Sequence, residues 1–185
     1  MTKIYKLTNE IKNIDGTTLY RIESLKNFGD VKAGDKGGWI ESEGNLSQTG
    51  NCWVFGNAMV GDNAVVSGNA WVFGDAVVFG NALVSGKAWL GGNAKVSGDA
   101  KVSGEAWVSG NAWVRDNAQV SGNARVYGTA RVSGKAVVSD NAMVFGDARV
   151  YGNARISGKA WVSGNAWVFG KAMVSEGHVN KGDFL

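Results

Sequence analysis

The chain has 185 residues, 28 of them glycine and none proline, with eight tryptophans and a net charge of +3. That length fits one domain with at most a small appendage. The composition excludes an ordinary globular domain, whose loops carry proline, and a Ser- or Pro-rich linker. So small a charge makes no strong case for nucleic acid or an anionic membrane, and the single cysteine, Cys52, excludes an intramolecular disulfide framework.

The first residues, MTKIYKLTNEIK, contain no apolar core of signal-peptide length. No stretch approaches the roughly 18 apolar residues of a membrane span. The expected address is the cytoplasm, without membrane contact. KIYKLT and LYRIESL read as short strands, with Asp15-Gly16 as the turn signal between them. Ile40 and Leu46 lie 18 residues before Ala58 and Ala64, so irregular coils are expected from about residue 38. Residues 1–49 are expected to form an N-terminal β cap, with a small separate binding module as the alternative.

From residue 50 to 175 the chain repeats every six residues. Val54, Val60, Val66, Val72 and Val78 begin a series that runs to Val174 without a slip, with only Leu90 and Ile156 replacing Val. Ala stands two residues before each, with Cys52 opening that series. Two residues after each is usually Gly, replaced by Asp62, Asp116 and Asp140 along the way, and followed most often by Asn. In the unit A-x-V-x-G-N, alternation predicts a short strand with Ala and Val on one face. Gly-Asn and its variants predict a turn, because Gly accepts positive φ freely and Asn and Asp tolerate it better than most residues. One strand and one corner per six residues can close a triangular coil of 18.

Two columns of outward residues test that period independently. The residue after Val is Ser at positions 67, 85, 103, 121, 139, 157 and 175, always 18 apart. The residue before Val gives Trp53, Trp71, Trp89 and Trp107 at the same spacing. Coils about 4.8 Å apart make seven of them a prism on the order of 34 Å long. One coil buries too little to stand alone, so stacking supplies the cooperativity, and both ends need covers. Residues 176–185 are expected to form a C-terminal tail or cap, with Phe184 and Leu185 folding over the open end.

The A-x-V-x-G-N array resembles the hexapeptide-repeat, left-handed parallel β-helix proteins. The resemblance covers about two-thirds of the chain, and 21 consecutive units keep phase. It implies an all-β, single-stranded left-handed solenoid of about seven regular coils. The segment from Leu19-Tyr20-Arg21-Ile22 through Gly37-Gly38-Trp39-Ile40-Glu41 to Asn45-Leu46-Ser47 is similar to the leader of bacterial and prophage hexapeptide proteins that often carry transferase labels. Fold alone does not establish such an activity.

Hexapeptide acyltransferases use a histidine base in a cleft between subunits, helped by loops inserted between coils. This chain has one histidine, His178, beyond Val174, the last Val of the repeat series, and no loop interrupts the units. The γ-type carbonic anhydrases on that scaffold need three histidines for zinc. Cys52 fills an inward slot, as core rather than ligand, and the outward serines lack an activating base. The expectation is a non-enzymatic chain with no catalytic, cofactor or metal residues and no cofactor.

The expected function is therefore a protein-binding scaffold. Trp53, Phe55, Trp71, Phe73, Trp89 and Trp107 are expected to form an exposed strip on the order of 300 Å², the size that marks an interaction site. Tryptophan is enriched at interface hot spots. Self-association follows, as a dimer first and a trimer second. Lys95, Lys101, Arg115, Arg125, Arg131, Arg149 and Arg155 form a loose belt over three faces, a solvated surface or a contact for an acidic partner. Nucleic acid is the less favoured partner. Two alternatives remain: a phage-type effector that docks on and inhibits a host defence protein, and an atypical hexapeptide acyltransferase.

Overall fold

A computed structural model describes residues 3–180. The chain is an all-β solenoid of parallel coils with an 18-residue period. Each coil contributes one two-residue rung to each of three sheets. Face I carries the rungs Met59–Val60, Val77–Val78, Lys95–Val96, Trp113–Val114, Arg131–Val132, Arg149–Val150 and Trp167–Val168. Face II runs from Trp53–Val54 through Trp71–Val72, Trp89–Leu90, Trp107–Val108, Arg125–Val126, Met143–Val144 and Trp161–Val162 to His178–Val179. Face III runs from Val65–Val66 to Met173–Val174 in seven rungs.

The core follows from the repeat. Every Ala from Ala58 to Ala166, and every Val-slot residue from Val54 to Val168, is buried. From Trp53 to Ser163, the N–H of each residue flanking a Val-slot residue donates to a carbonyl one coil later, as in Trp89 to Ala106 at 2.9 Å. The corners stack too: Asn63 donates to Asn81 at 3.1 Å, and Asn81 to Asp99 at 2.9 Å. Inside and edge are thus satisfied by the same neighbour, the next coil.

The N-terminal segment builds onto face I. Strand β1 (Tyr5–Ile14) pairs antiparallel with β2 (Thr17–Ser24). Asp15 and Gly16 both take positive φ, 47° and 86°, as a two-residue type I′ hairpin turn requires. The first strand thus runs six residues past Thr8, where the expected short strand stops. Strand β3 (Lys36–Ile40) pairs antiparallel with β2 and parallel with the Met59–Val60 rung, joining hairpin to solenoid. A short 3-10 turn, Glu43–Asn45, follows; Asn45 Nδ2 donates to the carbonyls of Asp62 and Ala64, both at 2.9 Å.

The expected phase of the first coil is two residues out. Ile40 lies beside Val60 and Leu46 beside Val66, so both occupy the Val slot, not the Ala slot. From Leu46 to Val54 the chain takes eight residues for one side instead of six. The extra pair lies in the corner after Leu46, where Cys52 Sγ donates to the carbonyls of Ser47 and Thr49 at 3.6 and 3.8 Å.

At the other end, His178 and Val179 add a rung beside Trp161 and Val162. The expected cover by Phe184 and Leu185 lies outside the described residues.

Candidate functional site

The inside of the solenoid is uniform, so chemistry resides on its faces. On face II the aromatic strip is a continuous ladder. Phe55 packs against Trp71 with centroids 5.0 Å apart, Trp71 stacks on Trp89 at 5.4 Å, and Trp89 meets Trp107 at 5.3 Å. Phe73 sets its edge against Trp89 at 6.0 Å. Its ring lies where a side chain at Gly91 would be: a Cβ there would come within 2.3 Å of it. Phe55, Trp71, Phe73 and Trp89 line a shallow trough of about 270 Å³. Trp89 and Trp107 remain 39% and 41% exposed.

Trp53 corrects the expected strip. It pairs in register with Trp71, yet it is 1% exposed. The N-terminal segment folds over it, with Tyr5 and Phe28 edge-on at 6.2 and 5.5 Å. The first member of the column is therefore core. Face II also carries a second aromatic pair beyond the expected residues: Tyr127 and Phe145 stack at 5.0 Å with planes 2° apart, separated from Trp107 by Ser109 and Arg125. They stand 72 and 90 residues after Phe55, a signal legible in the column after Val. Lys87 and Glu105 pair at 3.0 Å on the rim beside Trp89 and Trp107.

The basic residues are less scattered than a loose belt. Lys95, Arg115, Arg131 and Arg149 all lie on face I; Lys101 and Arg155 lie on face III and Arg125 on face II. Arg115 joins the others because the residue after Val114 points outward on the same face as the residue before it. Lys95 and Arg131 flank Trp113 at 5.1 and 5.4 Å, and Arg149 lies over Trp167 at 5.1 Å.

His178 is not a lone tail histidine. Its Nε2 shares a 2.5 Å hydrogen bond with Ser163 Oγ, and its ring sits edge-on to Trp161 at 6.1 Å. Ser163 is 4% exposed, and its hydroxyl also lies 3.4 Å from Asn180 Oδ1. The pair closes the last rung of face II. Sequence spacing misses it, because the tail rung sits 17 residues after Trp161 instead of 18. Cys52 is buried, and burial pushes its thiol up to about 11. Among the described residues no cluster of three or more His, Cys, Asp or Glu side chains could hold a metal ion. No helix there is long and apolar enough to cross a membrane.

Three stretches of the chain, residues 118–134, 124–140 and 148–164, match a family described as the YdcK beta solenoid repeat. A curated relative from Escherichia coli (strain K12), named "Uncharacterized acetyltransferase YdcK", is 40% identical over 72 residues. The match covers 34% of this chain and 22% of the relative's length. This overturns the expectation of a non-enzymatic chain. That expectation rested on histidine-free coils, and a protein sharing such repeats bears an enzyme's name. The chain is a hexapeptide-repeat β-solenoid whose repeats are similar to those of YdcK.

Proposed function

We propose that the chain is a self-associating β-solenoid whose interface is the aromatic ladder of face II. One observation carries this reading: the stacked run from Phe55 through Trp71 and Trp89 to Trp107 leaves its largest rings in solvent. Apolar rings collected on one flat face favour association, and Trp contributes most at interface centres. A regular face meets its own copy about a two-fold axis. The rim suits that mate. Lys87 and Glu105 sit one coil apart on one edge, so an antiparallel copy sets each against its opposite. Light scattering tests the reading. The wild type should have the mass of a dimer, and Trp71→Glu plus Trp89→Glu that of a monomer; a monomeric wild type at micromolar concentration sinks it.

A second reading, acetyl transfer, is supported by the name of the relative. Its test is calorimetric titration of the full chain with acetyl-CoA, followed by turnover assays on amine and hydroxyl acceptors. Saturable heat is expected, and a flat titration rejects it.

A further inference from the structure

Arg131 and Arg149 are direct partners on adjacent rungs of face I. Two like charges opposed across a ladder, with rungs about 4.8 Å apart, destabilise the pairing. A third charge, Arg115, stands beside them. The outward positions of face I from Met59 to Phe169 contain no carboxylate. Asp116 lies at the corner, with Oδ2 4.0 Å from Arg115 Nε, but that oxygen already accepts the Gly134 N–H at 3.0 Å. Among the described residues neither Arg131 nor Arg149 has an ion pair.

The two guanidiniums relieve their repulsion by turning apart. Arg131 leans back over Trp113, and Arg149 leans forward over Trp167. Between them opens a cavity of about 250 Å³, lined by Arg115, Arg131, Ser133, Arg149, Tyr151 and Trp167. A guanidinium stacked on a ring keeps its N–H edge free, and that planar fork matches the oxygens of phosphate.

We infer that this cavity is an oxyanion site for a small phosphate monoester, with Arg115, Arg131 and Arg149 holding the phosphate. A dianion cancels the repulsion that the free protein carries, and the Ser133 hydroxyl adds a neutral donor. The volume lies just under the roughly 300–1,000 Å³ of ordinary small-molecule sites, so it takes a phosphate and a ring-sized appendage. Trp167, under Arg149, and Tyr151, stacked on Phe169 at 5.3 Å, make up one side of the cavity. A long polyanion would draw on Lys101, Arg125 and Arg155 as well, and these point from other faces.

The test is calorimetry on the full chain at low ionic strength, with inorganic phosphate and adenosine 5′-monophosphate as probes. One site per chain is expected, with the nucleotide bound more tightly. Arg131→Gln plus Arg149→Gln should weaken both by about tenfold or more, since charge-assisted hydrogen bonds are lost. Without ligand that variant should melt no lower than the wild type, because the repulsion is gone, so lost binding is not lost folding. Lys101→Gln plus Arg155→Gln on face III should bind as the wild type does, as should the Trp71→Glu plus Trp89→Glu variant of face II. No heat from either probe at millimolar concentration, unchanged affinity in the face I variant, or an equal loss in the face III variant overturns the inference.

Discussion

Trp71 and Trp89 stack across adjacent coils with centroids 5.4 Å apart and planes 16° from parallel. The neighbour of Trp71 on its other side, Trp53, points from the same slot of the repeat and is buried. One column of identical residues is thus core at one end and surface along the rest.

That division predicts opposite behaviour in unfolding. Trp53→Ala should cost about 3–5 kcal/mol, the usual loss for a buried aromatic. Trp71 is only partly buried, so Trp71→Ala should cost less. Urea titration followed by circular dichroism measures both. Equal costs would mean that the N-terminal segment does not seal Trp53 in solution.

The rim pair tests the geometry of the proposed dimer. Lys87→Glu alone sets like charges against each other within a copy and across a two-fold mate, and should weaken the dimer. Lys87→Glu with Glu105→Lys restores opposition and should recover it. Exposed pairs are worth up to about 1 kcal/mol each, so with both symmetric pairs counted the loss is at most about thirtyfold in dimer affinity. Sedimentation equilibrium over a dilution series reads it. A double variant that dimerises no better than the single one would count against the antiparallel arrangement.

The corners make a sharper stability prediction. Gly104 has φ +71°, and a Cβ there would come within 2.8 Å of the Gly122 backbone in the next coil. Gly170 has φ +66°, and a Cβ there would meet nothing within 4 Å among the described residues. Gly170→Ala should therefore cost only the left-handed strain, about 1–2 kcal/mol, and Gly104→Ala clearly more. Asp116 shows how a side chain is tolerated in the same slot. At φ 61° its carboxylate accepts the Gly134 N–H at 3.0 Å. Asp116→Ala keeps the strain and loses that bond, so it should destabilise by about 1–2 kcal/mol. Asp116→Gly, which loses both, should lie nearer the wild type. Thermal melts of the four variants give the order.

Alkali should loosen the N-terminal segment first. Burial, then the nearby Glu43, holds the Tyr5 phenol above its ordinary range, and its hydroxyl donates to the Leu46 carbonyl at 2.7 Å. Burial also lifts the Cys52 thiol from 9.0 to about 11. Both groups are neutral in the fold and ionise more readily once unfolded. The Cys52 contribution is complete below pH 9 and is lost as pH rises from there through about 11, while that of Tyr5 begins to fall only above its ordinary 10 and goes on falling beyond the Cys52 window. Cys52→Ala should flatten part of that decline, and the native thiol should react slowly with a disulfide reagent at pH 8 until denaturant is added. Fast modification of the native chain would contradict the buried placement.

The sequence by itself determined the six-residue unit, the 18-residue coil, the Ala and Val core and the columns on each face. These were legible because the inward half of every unit meets the same neighbours, one coil above and one below. Tertiary structure decided what happens where that sameness ends. Two extra residues before Val54 moved Ile40 and Leu46 into the Val slot, which a fixed period cannot express. The N-terminal hairpin buried Trp53, a contact set by residues some 25 to 50 positions away. Arg131 and Arg149 turned apart onto separate tryptophans, so a scattered set of charges became a cavity. The outward half of a repeat is free of the period. Its state depends on what packs against it from elsewhere, and only the folded chain supplies that.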